Sequence, residues 1–276
     1  MRSFADPRQL ALPPPARTNG CFETMRAYQG RIFRLEGHLD RLYASAAFLG
    51  TRPPQDREAL GRRLNAALQR SGFTEAVVRV ALLPRASASA VPSVVVQPAV
   101  RLPEATYRRG IRVAVVPSRK FSVGSINPQS KYSARLGSVL AVMDAQLRGV
   151  DEALFMDASG SVTESTASNF GVVVRGAILT PPCWLGLLAG ITRDVLFELA
   201  NELKVVIREQ PLTRHELYNA DEAFLTSTLK EVLAVTQIDG RTIGTGRPGP
   251  ITIALRRAFR RLVRRELSFR SSARRR

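Results

Sequence analysis

Cysteine, histidine and lysine are all scarce in this chain of 276 residues. The two cysteines, Cys21 and Cys183, form no close pair, which excludes a disulfide framework and a zinc ribbon and predicts a reducing, cytoplasmic setting. A histidine-rich metal centre cannot be built from His38 and His215, so we predict no metal site. Covalent chemistry on a lysine has few positions to use, because the lysines are Lys120, Lys131, Lys204 and Lys230.

Long apolar runs are also lacking. No run approaches the ~20 apolar residues that a membrane helix needs, so no membrane partner is predicted. The opening sequence MRSFADPRQLALPPP has no apolar core of the kind found in a secretory signal. A P-loop is not predicted either, because its lysine-containing glycine motif is absent.

The net charge of +18 raises the question of nucleic-acid binding. Half of this excess lies in residues 256–276, which hold ten arginines and one glutamate. The other arginines are scattered, and no RNA motif with interleaved aromatic residues occurs. We therefore do not predict nucleic-acid binding as the main function. The alternative, a basic nucleic-acid-binding protein on an inactive enzyme scaffold, requires that the residues of the enzyme site have been lost.

The hydrophobic pattern predicts an α+β protein with two domains. Residues 1–116 form a small α+β domain, which opens with a hairpin and helix in CFETMRAYQGRIFRL and the residues after it. Residues 117–130 are rich in Pro, Gly and Ser and are interpreted as an interdomain linker. Residues 131–276 form a larger domain that ends in a basic amphipathic helix and a tail. Many short strands with few alternating βα units favour an antiparallel or mixed sheet over a doubly wound fold.

Local patterns predict three further elements. A helix over 132–148 should present one apolar face, formed by Leu136, Val139, Leu140, Met143 and Leu147. A second helix should begin at Thr192, which is a good N-cap residue, and its free N–H groups could hold a phosphate. A strand is expected over 204–208.

Several short segments could carry chemistry, although each also has an ordinary structural explanation. Lys131 comes directly after the linker, and Glu164 ends a short strand in VTESTASNF. Thr226, Ser227 and Thr228 place three hydroxyls at a strand end. Each of these alone fits a surface lysine, a solvated carboxylate or a hydrogen-bonded turn.

The ordered set of segments resembles a known family. SKYSARLGSVLA, VTESTASNFGVV, GITRD and LTSTLKEV occur in the order found in the class IV (fold type IV) pyridoxal-phosphate enzymes, and CFETMRAYQGRIFRLEGHLDRL resembles their opening hairpin and helix. That family includes branched-chain and D-amino-acid aminotransferases and 4-amino-4-deoxychorismate lyase. The resemblance implies an N-terminal α/β sandwich, a C-terminal pseudo-barrel that binds the cofactor, and at least a homodimer. It implies pyridoxal 5'-phosphate as the cofactor, with an amino acid and a 2-oxo acid as the small-molecule substrates.

The resemblance also implies roles for individual residues. Lys131 would carry the cofactor as a Schiff base and move the substrate proton, and Glu164 would pair with the pyridine nitrogen. Asn169 would hold the loop that carries Glu164, and Leu188 would pack under the ring. The implied phosphate-binding residues are Arg41, Ile191, Thr192, Ser227 and Thr228.

The substrate remains open at this stage. Arg79 matches a substrate-side arginine of branched-chain enzymes, Arg85 matches an arginine of D-amino-acid enzymes, and Thr24 matches a threonine that the lyase uses. We prefer an aminotransferase acting on aliphatic, branched-chain amino acids; the alternative is the lyase, which makes 4-aminobenzoate and pyruvate. The implied substrate-binding residues are Phe22, Thr24, Arg26, Arg79 and Arg85.

Overall fold

The computed structural model describes residues 20–53, 55–83, 90–116, 129–133 and 136–272, apart from the side chains of 91 and 269–272. These residues form two compact units, each with its own apolar core. The N-terminal unit contains 20–101, 130–133 and 260–272, and the C-terminal unit contains 102–129 and 136–259. Most of the predicted linker, 117–128, lies outside the described residues. The predicted domain division stays a prediction. The compact units differ from it by placing 102–116 in the C-terminal unit and 130–133 and 260–272 in the N-terminal unit.

A four-stranded antiparallel sheet and two helices build the N-terminal unit. The sheet order is β2-β1-β3-β4. The predicted opening hairpin is present, and Gln29 and Gly30 both have positive φ, 49° and 73°, as the tight turn between twisted strands requires. The elements are β1 (Cys21–Tyr28), β2 (Arg31–Ile32), α1 (Leu35–Phe48), α2 (Arg57–Ser71), β3 (Ala76–Leu83) and β4 (Val91–Pro98).

Apolar periodicity explains how these elements pack. Leu39 and Leu42 of α1 and Leu64 of α2 lie in one core cluster with alternate residues of the strands, such as Met25 and Val78. The helix α2 is bounded as its sequence suggests: the Asp56 carboxylate accepts the Ala59 N–H, and Gly72 ends the helix at φ 69°. One face of the sheet is thus covered by helices.

The last helix of the chain also belongs in part to this unit. The helix α7 (Pro250–Ser272) is the predicted basic amphipathic helix. Arg34 forms an ion pair with Glu266 at 2.5 Å, and the Arg31 guanidinium donates a hydrogen bond to the Leu267 carbonyl at 2.9 Å. The opening hairpin and the end of the chain are therefore tied together.

A mixed sheet of nine strands dominates the C-terminal unit. Its order is β10-β9-β8-β11-β12-β5-β6-β7, with β13 beside β12, and β7 also pairs with β8. That last pairing closes six of the strands into a barrel, as predicted for the pseudo-barrel. The remaining elements are α3 (Glu104–Arg109), β5 (Ile111–Val115), α4 (Leu136–Leu147), β6 (Glu152–Met156), β7 (Val162–Ser165), β8 (Asn169–Val174), β9 (Ala177–Thr180), α5 (Ile191–Glu202), β10 (Ile207–Glu209), α6 (Arg214–Tyr218), β11 (Glu222–Ser227), β12 (Glu231–Ile238) and β13 (Arg241–Thr242).

Three local predictions were wrong in part. The helix predicted over 132–148 begins only at Leu136, and the side chains it buries are Ala141 and Ala145 rather than its large apolar residues. The strand predicted over 204–208 begins at Ile207, because Lys204 adopts φ 55° in the turn that ends α5. Gly190, not Thr192, occupies the N-cap of α5.

Membrane-spanning helices are not found in the part of the chain that the structure describes. None of the described helices combines the length and the apolar character needed to cross a bilayer.

Candidate functional site

Lys131 is fixed by main-chain hydrogen bonds along an edge of β1. The Phe22 N–H donates to the Lys131 carbonyl at 3.0 Å, and Cys21 forms a β-bridge with Tyr132. The Ser133 N–H donates to the Gly20 carbonyl at 2.8 Å. The chain around Lys131 therefore acts as a short extra strand, which sets the position from which the lysine side chain starts.

The side chain of Lys131 lies beside an aromatic ring. Its Nζ is 5.1 Å from the centroid of the Phe22 ring, a distance at which an ammonium group interacts favourably with the ring face. The Lys131 N–H also donates to Ser45 Oγ at 3.0 Å, and Ser45 Oγ donates to the Arg41 carbonyl at 2.8 Å. One buried hydroxyl thus links the main chain of Lys131 to α1 at Arg41.

Arg41 is held by a buried carboxylate. Glu23 is fully buried, and its Oε1 accepts the Arg41 Nε at 2.6 Å. Its Oε2 accepts the Arg41 Nη2 at 2.9 Å and lies 2.8 Å from Nδ1 of the buried His38. Glu23 therefore grips one edge of the guanidinium in a bidentate contact, which fixes the orientation of its plane.

Burial and the neighbouring charges set the protonation states of Glu23 and His38. Burial alone would raise the pKa of Glu23, but the charge of Arg41 and the contact with His38 outweigh burial and hold that pKa well below its usual range. Burial lowers the pKa of His38 despite the opposing effect of Glu23, and the charges of Arg41 and Lys131 lower it further. Near neutral pH, Glu23 is therefore ionised and His38 is neutral, with a proton on Nδ1 that it donates to the carboxylate.

Glu23 and His38 were not among the residues predicted from the sequence, although a signal was available. Glu23 lies between Cys21 and Met25, which face the helices in an alternating strand. His38 and Arg41 are three residues apart on α1, so they share one face of that helix. A carboxylate on the covered face of a strand needs such partners, because an unpaired buried charge is strongly unfavourable.

The predicted substrate-binding residues of the described chain share the other face of this sheet. In the register of β1 and β3, Thr24 lies opposite Arg79, and Phe22 lies opposite Ala81. Arg79 is half-buried, and burial lowers its pKa. Arg26 is engaged elsewhere, because its Nη2 donates to the Glu75 carboxylate at 2.9 Å. Arg85 lies outside the described residues.

In the C-terminal unit, Glu164 is held by two neutral donors. The Leu188 N–H donates to its Oε2 at 2.9 Å, and the Asn169 amide donates to the same oxygen at 3.4 Å. The Asn169 amide also donates to the Leu188 carbonyl at 2.8 Å. Asn169 thus joins the Leu188 loop to the strand that carries Glu164, and the fold brings these three residues together.

The beginning of α5 lies against the same amide. A Cβ atom on Gly190 would be 1.9 Å from Asn169 Oδ1, so only glycine fits at this N-cap position. Ile191 begins the helix and Thr192 is buried in its first turn. Among the residues that the structure describes, no side chain caps this helix end, and its first N–H groups have the orientation that suits an anion.

The two predicted hydroxyl residues lie where β11 ends. Ser227 is the last residue of the strand, and its Oγ accepts the Lys230 N–H at 3.2 Å, with Thr228 in the turn between them. The Lys230 ammonium contacts the buried carboxylate of Glu152, which also accepts a hydrogen bond from the Thr166 hydroxyl. This network connects the turn after β11 to the end of β7, two residues from Glu164.

Each unit, taken by itself, holds groups that suit one part of a phosphorylated pyridine aldehyde. The N-terminal unit offers an amine and an oriented guanidinium, at Lys131 and Arg41. The C-terminal unit offers a buried carboxylate, an uncapped helix end and hydroxyls at a strand end. An amine binds a carbonyl carbon covalently, a carboxylate stabilises a protonated ring nitrogen, and guanidinium, N–H and hydroxyl groups bind phosphate.

Comparisons with known proteins show to which family the chain belongs. The family described as Amino-transferase class IV matches residues 20–238. The branched-chain-amino-acid aminotransferase of Pseudomonas aeruginosa is 34% identical over 258 residues, which cover 88% of this chain and 84% of that protein. The D-alanine aminotransferase of Bacillus licheniformis is 33% identical over 242 residues, covering 85% and 84%.

Solved structures extend the similarity to the whole fold. The branched-chain aminotransferase of Thermoproteus uzoniensis with norvaline superposes with a TM-score of 0.82 at 32% identity, covering 89% of this chain and 85% of that chain. A second branched-chain amino acid aminotransferase, complexed with N-(5'-phosphopyridoxyl)-L-glutamate, gives a TM-score of 0.83 at 30% identity and covers 90% and 89%. The predicted fold type IV architecture is thereby confirmed.

Proposed function

Because the chain belongs to the class IV aminotransferases, we propose that it transfers the amino group of aliphatic, branched-chain amino acids to 2-oxo acids. Enzymes of this class use pyridoxal 5'-phosphate, which supplies an electron sink for the charge that develops at the substrate α-carbon. The observation that carries the proposal is the set of contacts around Lys131, whose main chain is bound to β1 and, through Ser45, to Arg41.

Lys131 holds the cofactor and transfers the proton. Its amine would bind the cofactor covalently at the aldehyde carbon. When the substrate amine has displaced it, the free amine would carry the proton from the substrate α-carbon to that former aldehyde carbon. The fixed main chain of residues 131–133 limits the positions that the amine can reach. Such pre-positioning removes part of the entropic cost of the proton transfer.

The cofactor phosphate is bound by groups that the fold orients beforehand. Arg41 presents a guanidinium plane that Glu23 fixes, and its charge complements a dianion. The N–H groups at Ile191 and Thr192 and the hydroxyls of Ser227 and Thr228 add neutral donors. These groups recognise the phosphate and hold the ring in one orientation.

Glu164 keeps the pyridine nitrogen protonated. The Leu188 N–H and the Asn169 amide orient its carboxylate toward one position. A protonated ring nitrogen withdraws electrons more strongly and so lowers the energy of the carbanionic substrate. Leu188 supplies an apolar contact to the ring.

The sheet face that carries Arg79 supports an aliphatic substrate. Phe22 and Ala81 are cross-strand neighbours on the sheet face that carries Arg79, so apolar and cationic groups occur together there. An arginine on this face would bind the substrate carboxylate, and the apolar residues would contact an alkyl side chain. The similar proteins and solved structures are aminotransferases, which favours transfer over the lyase alternative.

The proposal is tested at Lys131. The purified protein should absorb as a cofactor-lysine adduct, and borohydride reduction should fix the cofactor on the peptide that contains Lys131. The variant Lys131→Ala should lose this label and at least ~10³-fold in turnover, within the range of acid–base catalysis by a positioned group. Lys204→Ala is the matched control, because Lys204 is exposed in the turn after α5. Label on another lysine in Lys131→Ala would contradict the assignment.

A product assay identifies the reaction. Leucine and 2-oxoglutarate should yield glutamate. Formation of pyruvate from 4-amino-4-deoxychorismate, without glutamate formation in the first assay, would instead identify the lyase.

We further propose a homodimer and a cytoplasmic location. The dimer is expected from the family resemblance. The location is expected from the cysteine content, and both cysteines are free thiols in the structure.

A further inference from the structure

The helix α7 presents four arginine side chains to solvent on one side. We call them the α7 face: Arg257, Arg261, Arg264 and Arg265. At about 100° per residue, these positions fall within about 100° of the helix circumference, and they span about 12 Å along its axis. The α7 face is therefore a short, dense stripe of positive charge.

The opposite side of α7 holds this stripe outward. Leu255, Phe259 and Leu262 are buried, as expected for the apolar side of an amphipathic helix. Arg256 also turns toward the protein: its guanidinium donates to the Glu104 carboxylate at 2.7 Å and lies 3.6 Å from the centroid of the Tyr107 ring. Because the helix is anchored along these residues, the arginines of the α7 face keep their order and spacing.

The acidic residue nearest to this stripe in the sequence does not cancel its charge. Residues 256–276 contain a single acidic residue, Glu266. Its carboxylate forms an ion pair with Arg34 at 2.5 Å, and Arg34 is not part of the α7 face. The net charge of +18 adds a positive potential over longer distances. The α7 face therefore attracts anions, and most strongly those of high charge density.

Residue type and burial indicate which polyanion fits. An amphipathic helix binds an anionic membrane by burying its apolar side in the lipid, but the apolar side of α7 is already buried in the protein. The exposed cations are arginines, whose planar guanidinium groups bind phosphate through two hydrogen bonds. A DNA duplex carries one negative charge per about 1.7 Å, so the length of the α7 face meets about seven phosphates.

We propose that the α7 face binds the phosphate backbone of duplex DNA, as a second activity beside the proposed catalysis. Among the described side chains of α7, no aromatic ring is exposed that could stack on an unpaired base. The binding therefore favours a duplex over a single strand. It rests on phosphate contacts, which carry no sequence information, so duplexes of different sequence are bound equally well.

The test measures how salt weakens the binding of a fluorescently labelled duplex of about 30 base pairs. Fluorescence anisotropy follows binding to the full-length protein, loaded with its cofactor, from about 50 to 300 mM salt. Each phosphate contact contributes about 0.9 to the slope of log K against log salt concentration. The variant Arg257→Gln/Arg261→Gln/Arg264→Gln/Arg265→Gln should therefore lower this slope by about 3–4. At about 50 mM salt it should bind at least ~100-fold more weakly than the wild-type protein.

A matched control removes the same charge from other parts of the surface. Arg63 and Arg70 of α2, Arg208 of β10 and Arg214 of α6 are all exposed. Their quadruple glutamine variant should keep the slope of the wild-type protein to within about 1. Both quadruple variants should keep the wild-type turnover with leucine and 2-oxoglutarate, because neither changes a residue of the proposed site.

Circular dichroism checks that the α7 variant folds, since glutamine and arginine have similar helix propensities. If it does not fold, Arg257→Gln/Arg261→Gln and Arg264→Gln/Arg265→Gln replace it. Each of these double variants should lower the slope by about half as much.

Four results would each overturn the proposal. They are a wild-type protein that does not bind the duplex at about 50 mM salt, an equal loss of slope in the control variant, tighter binding of a single strand than of the duplex, and a loss of binding to phosphatidylserine vesicles in an α7 variant that still binds DNA. The last result would assign the α7 face to a membrane. The readout does not depend on catalysis, so Lys131→Ala should bind the duplex as the wild-type protein does.

Discussion

Glu23 on β1 and Glu164 on β7 are both buried carboxylates, but the hydrogen bonds described for them differ in charge and in geometry. Glu23 uses both oxygens, and its main partner is the charged guanidinium of Arg41. The described bonds to Glu164 come from an amide and a main-chain N–H, and both reach the same oxygen.

The difference shows how a protein can use one chemical group in two ways. A carboxylate bonded through both oxygens to N–H donors cannot be replaced by an amide without placing N–H against N–H. Two donors on one oxygen can be kept by an amide, because its carbonyl can occupy that position. We therefore expect Glu23 to be needed for stability and for the orientation of Arg41, and Glu164 to be needed for its charge.

The largest expected effect is on the stability of a Glu23→Gln variant. Breaking a buried ion pair by neutralising one partner costs about 3–5 kcal/mol, because the other charge stays buried. Urea unfolding at neutral pH measures this loss. Glu58→Gln is the control: Glu58 also pairs with an arginine, Arg62, but both side chains are exposed, so the substitution should cost at most ~1 kcal/mol. Equal losses in the two variants would contradict the special role of Glu23.

The variant Glu164→Gln should lose little stability but much of its turnover. Its unfolding free energy should change by less than ~1.5 kcal/mol, because both described hydrogen bonds can be kept. Its turnover should fall about 100-fold or more, the effect of removing one preorganised electrostatic contact from a reaction. Steady-state kinetics with leucine and 2-oxoglutarate measure the loss. Normal turnover in this variant would show that the charge of Glu164 is not used.

The variant Gly190→Ala tests the hydrogen bonds that Asn169 and Leu188 donate to Glu164 without replacing any of these three residues. The new methyl group would collide with Asn169 Oδ1, so the amide must move away from Glu164 and Leu188. Overpacking of this kind costs about 1–3 kcal/mol. Gly137→Ala is the control, because a Cβ there has open space in a helix and should be neutral or slightly stabilising. The midpoint temperature of thermal unfolding and the affinity for the cofactor should both decrease in Gly190→Ala and stay unchanged in Gly137→Ala.

The smallest expected effect is the pH dependence of stability that His38 adds to the Glu23 cluster. The folded protein keeps the pKa of His38 below its usual value, so the unfolded chain binds more protons as the pH falls below about 6.5, and stability decreases. One such group contributes at most ~1.4 kcal/mol per pH unit. Glu23 acts in the same direction at lower pH, because its pKa is also lowered by folding.

The chain contains a matched pair of histidines for this measurement. Stability between pH 7.5 and 5.5 should fall less in His38→Gln than in the wild-type protein. His215→Gln should follow the wild-type curve, because His215 is exposed on α6. A wild-type curve that is flat over this range would show that His38 is not kept neutral.

Residues close together in the sequence could be predicted best. Glu164 and Asn169 belong to one continuous motif, and the hairpin turn at Gln29 and Gly30 follows from local backbone preferences. Lys131 was identified from its motif, but its hydrogen bonds to β1 and to Ser45 depend on pairings between distant segments.

Other features depend on packing that a pattern of apolar residues does not define. The periodicity of α4 correctly predicted a helix with an apolar face, but it did not show that the alanines would be buried and the leucines exposed. Thr192 is of a residue type that often caps helices, but the N-cap is Gly190. Asn169 Oδ1 lies so close to Gly190 that no side chain fits at that position. The pairing of β7 with β8 that closes the barrel likewise has no signature in either strand alone.

The ties from Arg34 to Glu266 and from Arg31 to the Leu267 carbonyl have a consequence for synthesis on the ribosome. The hairpin is synthesised before the helix residues that bind it. At a rate of about 5–20 residues per second, the hairpin waits roughly 12–50 s for them. The N-terminal unit is therefore incomplete until the last turns of α7 have left the exit tunnel.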